Sequence, residues 1–210
     1  MPTSLDMLST QAVDTGENLD MSLFLANLRE HREVFAALET LDAPVALAIE
    51  HITESLRAGG KVMFCGNGGS AADSQHLAAE FTGRFIKDRR PLAAIALSTD
   101  SSALTCIGND YSFDHVFLRQ IQALGKPGDC IVGISTSGNS GNVVRAFEAA
   151  RDMSISTIGL LGRDGGKLRQ LSDVAIIVNN DTTARIQEAH ILIGHTLCGA
   201  VETNLGTVDA

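Results

Sequence analysis

The chain predicts an α/β fold: a doubly wound sheet of five parallel strands, with N-terminal helices before it and a long C-terminal helix after it. Three observations carry that expectation. Short apolar runs at 62–65, 92–97, 130–134, 155–161 and 174–178 show little polar alternation, as strands covered on both faces do. Helical stretches near 71–83, 101–108, 114–124, 141–152 and 165–171 separate and follow them, the alternation that builds a doubly wound sheet. Hydrophobic residues make up 44% of the chain but aromatics only 4%, so Ala, Leu, Ile and Val must fill a closely packed interior. At about 150 residues per domain, 210 residues make one domain.

Residues 1–20 are polar, without a sustained period, and are expected to form a flexible tail before a single domain at 21–210. Two helical stretches fill 21–57. Leu23, Phe24, Leu28, Val34, Phe35 and Leu38 mark the first; Val45, Ala48, Ile49, Ile52 and Leu56 mark the second at helical spacing, and Ala58-Gly59-Gly60 ends it. The last helix runs over 184–204. The apolar faces of these outer helices are wider than one sheet needs, which suits contacts between subunits or ordinary cover within the chain.

Sixteen Lys and Arg against 25 Asp and Glu give a net charge of −9, which excludes a broad basic face for nucleic acid. No run approaches the eighteen or so apolar residues of a membrane span. The start shows no basic segment followed by an apolar run, so no secretory signal is expected. Cys65, Cys106, Cys130 and Cys198 form no CxxC pair and read as small buried hydrophobes in a reducing cytoplasm.

In an open parallel sheet, ligands bind outside the carboxyl ends of the strands. Gly66-Asn67-Gly68-Gly69-Ser70 follows the run 62–65 and opens a helix. Its glycines admit close approach to the backbone, and the helix start supplies free N–H groups. Gly66 to Ala71 also satisfies the dinucleotide pattern G-x-G-x-x-A, a weak signal alone. Ser135-Thr136-Ser137-Gly138-Asn139-Ser140-Gly141 follows the run 130–134. Four hydroxyls at a helix start exceed what capping requires and can surround a phosphate without Lys or Arg. Two such loops suit a small phosphorylated molecule better than a dinucleotide. Thr99-Asp100 could bind sugar hydroxyls or cap the helix from Ser101.

His76 and Glu80 share one helix face beyond the glycine loop. Gln187 and His195 lie on the last helix, about 12 Å apart along its axis. His31, His51, His115 and His190 are read as surface or satisfied core residues.

The strings CGNGGSAADSQHLAAEFTGR, ISTSGNSGNVVRA and ARIQEAHILIGH resemble the phosphoheptose isomerase (sedoheptulose 7-phosphate isomerase) family of the SIS superfamily, over roughly residues 22 to 205. The resemblance implies a flavodoxin-like sheet, a cytoplasmic homotetramer with active sites near subunit interfaces, and a role in nucleotide-heptose synthesis for cell-surface polysaccharide. It implies substrate contacts at Asn67, Gly68, Gly69, Ser70, Thr99 and Asp100, and phosphate contacts at Ser135, Thr136, Ser137 and Ser140. It implies one zinc ion per subunit on His76, Glu80, Gln187 and His195, with Glu80 and Gln187 also touching substrate. Glu80 and His195 would be the base and acid of ketose–aldose isomerisation, which moves a proton through an enediol. One departure stands out: Ala184 occupies a position where some relatives carry Asp.

Two side chains about 12 Å apart on one straight helix would struggle to meet at one ion. Either the helix is distorted near Arg185 or a second subunit completes the site. A non-catalytic relative that associates with the bacterial replication initiator lacks the acid–base pair; the presence of Glu80 and His195 favours an enzyme over that alternative. A dinucleotide-dependent oxidoreductase is the remaining rival, against which the hydroxyl loop counts.

Overall fold

The computed structural model describes residues 17–206. Five parallel strands, β1 (Val62–Gly66), β2 (Ala94–Ala96), β3 (Cys130–Ser135), β4 (Ser156–Gly162) and β5 (Val174–Val178), form one sheet in the order β2-β1-β3-β4-β5. The helices are α1 (Glu17–Ala37), α2 (Asp42–Arg57), α3 (Gly69–Thr82), α4 (Ser101–Asp110), α5 (Leu118–Leu124), α6 (Gly141–Asp152), α7 (Leu168–Leu171) and α8 (Thr183–Asn204). The expected doubly wound architecture is the one found. α1 begins within the expected tail, four residues early; residues 1–16 lie outside the described residues. The single helix expected over 114–124 is a short 3-10 turn, Phe113–His115, followed by α5.

Side chains alternate across the strands, and both sides are covered. Val62, Phe64, Val132, Ile134, Ile158 and Leu160 pack with residues of α2, α3 and α8. Met63, Cys65, Ile131 and Leu161 pack with residues of α5 and α6 on the opposite face. The chain reverses direction of winding between β1 and β3, which pair in register from Val62 with Cys130 to Gly66 with Ile134. The loops after these two strands therefore flank the switch point, where open α/β sheets hold ligands.

Cys65, Cys130 and Cys198 are buried, and burial pushes the Cys65 and Cys198 thiols up to about 12. Cys106 departs from the expected buried set. It sits on the outer side of α4, exposed, with Sγ 3.4 Å from Asp110 Oδ2. Among the described residues no helix is long and apolar enough to cross a membrane.

His190 of α8 is a core residue, 1% exposed, whose Nε2–H donates to the Leu161 carbonyl at 3.1 Å while Nδ1 has no partner. Burial pushes its pKa down from 6.5 to about 4. An unfolded chain takes up that proton near pH 6.5 and the folded one resists until about pH 4, so acid favours unfolding throughout that window. Chemical denaturation should therefore show His190 costing about 2 kcal/mol of stability between pH 7 and pH 5. The difference between wild type and His190→Gln, measured at both pH values, isolates this contribution.

Candidate active site

β1 ends at Gly66, and Gly68 turns the chain into α3 with φ +55°. A side chain at Gly69 would begin 2.4 Å from Gln187 Nε2, so the bare first residue of α3 is what lets the Gln187 amide lie against the loop. Ser70 points inward: it is 4% exposed, and a Cβ at Gly66 would stand 2.8 Å from its Cβ. Asn67, Gly68 and Gly69 are the more accessible members of the loop.

After β3, Gly138 adopts φ +64°, and a Cβ there would stand 2.1 Å from the Gly165 carbonyl oxygen. Only glycine fits this turn. It folds the hydroxyls together. Ser135 Oγ lies 2.9 Å from Ser140 Oγ and 3.5 Å from Ser137 Oγ, and Asn139 N–H donates to Ser137 Oγ. Ser140 is the N-cap of α6 but makes no side-chain capping bond, which leaves the positive end of that helix facing the hydroxyls. Thr136 and Ser137 are half-buried, as is Ser140, while Ser135 is buried.

Two amides join the loops. Asn67 Nδ2 donates to Asn142 Oδ1 at 2.9 Å, and Asn142 Nδ2 donates back to Asn67 Oδ1 at 2.8 Å. Asn142, 2% exposed, was not singled out from sequence. Its only signal is its place just after the hydroxyl loop. Asp114 was also missed: a Cβ at Gly141 would stand 2.6 Å from its Oδ1, which places a carboxylate against the first residue of α6.

Thr99 and Asp100 are exposed just beyond the carboxyl end of β2, which pairs with β1, so they lie on the same sheet edge as the loops. Asp100 caps α4, accepting from Ala103 N–H at 2.9 Å, and Thr99 Oγ1 donates to the Ala96 carbonyl. The capping reading of Asp100 is therefore realised.

The titratable group forms where α3 meets α8. His76 Nε2 lies 3.1 Å from His195 Nε2 and 3.2 Å from Glu80 Oε1. The Phe85 ring lies 5.4 Å from that of His195. Asp73, one turn before His76, has its carboxyl pushed up by burial, against the opposing pull of His76 and His195. Two imidazoles and a carboxylate are a donor set that suits zinc. His76 contacts both Glu80 and His195 directly, and among the described residues no three His, Cys, Asp or Glu side chains are arranged around a common centre.

α8 is one continuous helix from Thr183 to Asn204, so the distortion expected near Arg185 is not found. Gln187 packs at the start of α3 beside Gly69, and His195 packs at His76, two turns along. Gly69 and Glu80 are separated by about 16 Å along α3. Within one chain the glycine loop meets Gln187, and the carboxylate–imidazole group lies further along α3 and α8.

The SIS domain family matches residues 26–162, which include both loops but end before α8. A phosphoheptose isomerase of Rhodospirillum rubrum is 55% identical over 173 residues, 82% of this chain and 92% of that protein. One from Aliarcobacter butzleri is 51% identical over 88% of this chain and 98% of its own length. In three dimensions, the phosphoheptose isomerase of Neisseria gonorrhoeae superposes with a TM-score of 0.80 at 47% identity, covering 90% of this chain and all of that one. That of Francisella tularensis gives 0.81 at 36% identity, over 90% and 99% of the two chains. By sequence and by fold, the chain belongs to the phosphoheptose isomerase family of SIS-domain enzymes.

Proposed function

We propose that the enzyme converts sedoheptulose 7-phosphate to D-glycero-D-manno-heptose 7-phosphate through an enediol, in a pathway to nucleotide-heptoses and cell-surface polysaccharide. The observation that carries the mechanism is the contact of His76 with both Glu80 and His195 at 3.1–3.2 Å, which holds a base and an acid from two helices side by side. Glu80 removes the proton from carbon, and His195 serves the oxygen on which charge develops. His76 sits between them and orients both. Ser135, Thr136, Ser137 and Ser140, with the start of α6, hold the phosphate by O–H and N–H donors. Asn67, Gly68, Gly69, Ser70, Thr99 and Asp100 receive the sugar.

His76, Glu80 and His195 have the donor chemistry to hold zinc, and Gln187 would join them only from a second copy. A bound zinc ion would polarise the substrate carbonyl as a Lewis acid. The same separation along α3 asks for a second chain to bring a phosphate loop to Glu80, in keeping with a homotetramer whose active sites lie at subunit interfaces. The outer helices support such packing: Leu23 and Phe24 of α1 are 61% and 60% exposed, and Leu192 of α8 lines an open cleft with Leu38, Leu41 and Val45.

Glu80→Gln and His195→Ala should keep the fold and lower kcat by about 10²- to 10⁴-fold, measured by aldose formation from sedoheptulose 7-phosphate. No turnover by the wild-type protein would overturn the reading. Calorimetric titration with zinc should show about 10- to 100-fold weaker binding after His76→Ala; equal affinity would remove His76 from the site. Refolding an equimolar mixture of Glu80→Gln and Ser140→Asp chains should restore activity that neither has alone. No recovery would mean that each chain carries a complete site.

A further inference from the structure

The carbonyls at the end of an α-helix lack partners within it and carry its negative pole. At the end of α3 a guanidinium takes them. Arg89 Nη2 donates to the Glu80 carbonyl at 2.7 Å, and Nη1 donates to the carbonyls of Phe81 at 2.9 Å and of Gly83 and Arg90 at 3.1 Å. Nε donates to Glu202 Oε1 of α8 at 2.6 Å, and Nη2 lies 2.5 Å from the same oxygen. The fork is thus engaged on all three of its nitrogens. Both side chains are out of water, Arg89 at 1% and Glu202 at 3% exposure.

The same carboxylate oxygen also accepts from the Phe85 N–H at 3.1 Å. Phe85 in turn lays its ring beside His195, and a Cβ at Gly199, one turn further along α8, would stand 3.3 Å from Phe85 Cε1. Glu202 follows His195 by seven residues, about two turns, so both project from nearly the same face of α8. One network therefore runs from the Glu80 backbone through Arg89 and Glu202 to the aromatic neighbour of His195.

The guanidinium caps the α3 carbonyls, which stabilises the helix end, but that does not explain its pairing with Glu202, because a buried ion pair often gives way to apolar residues of similar volume without loss. Register is a better account. Leu77 against Gly194 sets how closely α3 and α8 approach, but a contact between an aliphatic side chain and a glycine does little to stop one helix sliding along the other. A fork that binds the last carbonyls of α3 and a carboxylate on α8 does stop it. We infer that Arg89 and Glu202 are a positioning pair, which holds Glu80 and His76 of α3 against His195 of α8, with Phe85 as the spacer. The inference rests on the acid–base reading of Glu80 and His195.

The test uses full-length Arg89→Met/Glu202→Leu, Glu202→Gln and Glu202→Ala. The double variant leaves the carbonyls at the end of α3 and the Phe85 N–H without these partners, so it should fold with a lowered Tm but keep a near-normal KM for sedoheptulose 7-phosphate. Its kcat should fall by about 10- to 100-fold, as a misplacement near 1 Å does. Glu202→Gln keeps an acceptor oxygen for Phe85 and Arg89 and should retain more kcat than Glu202→Ala, a comparison that stands if the double variant fails to fold. Wild-type kcat in a folded double variant, or in Glu202→Ala, would overturn the inference. So would a crystal structure of Glu202→Ala with the His76–His195 contact still at 3.1 Å, where separation beyond hydrogen-bond reach is expected. That structural readout is independent of turnover, so inactive wild-type protein would count against the proposed reaction and leave the positioning role to be judged by the distance.

Discussion

A rigid helix fixes how far apart its own side chains can act, and that constraint governs this site. α3 begins in the glycine loop and carries His76 and Glu80 on its later turns. α8 lies alongside, with Gln187 at the loop and His195 at His76. Because both helices are unbroken, the two ends of the pair are held apart by about 16 Å of helix. The anion-friendly loops and the titratable group are two stations on one frame, and the frame determines what a neighbouring chain would have to supply.

Each station is built from backbone as much as from side chains. At the switch point, glycine at 138 permits a turn against Gly165 that no other residue could make, and glycine at 69 admits the Gln187 amide. At the other station the backbone carbonyls of Glu80 and Phe81 are what Arg89 grips. The protein is acidic overall, yet the serine loop offers donors without formal charge, so a negative ligand would be met by dipoles and hydroxyls instead of cations.

Much of this was legible in the sequence because it is local. Apolar runs over 62–65, 130–134 and 174–178 needed only the absence of polar alternation, and the two loops needed only their glycines and hydroxyls next to those runs. The helix spacing of His76 and Glu80 followed from their four-residue separation. What was not legible depends on contacts distant in sequence. Asn142 looks like any residue in the first turn of a helix until β1 and β3 pair and bring Asn67 to it, 75 residues away. Arg89 lies in a segment with four other charged residues at 84–90, and nothing there marks the one that will meet Glu202, 113 residues on. The split of 114–124 was missed because Ser112, Phe113, Asp114 and His115 suit a 3-10 turn as well as a first helical turn.

The reciprocal amide bridge between Asn67 and Asn142 has a thermodynamic meaning of its own. It makes one body of two segments that would otherwise fluctuate separately. The entropy of arranging them is spent during folding, before any guest arrives, and so is not subtracted again from the free energy of association. A molecule that touches one segment finds the other already waiting.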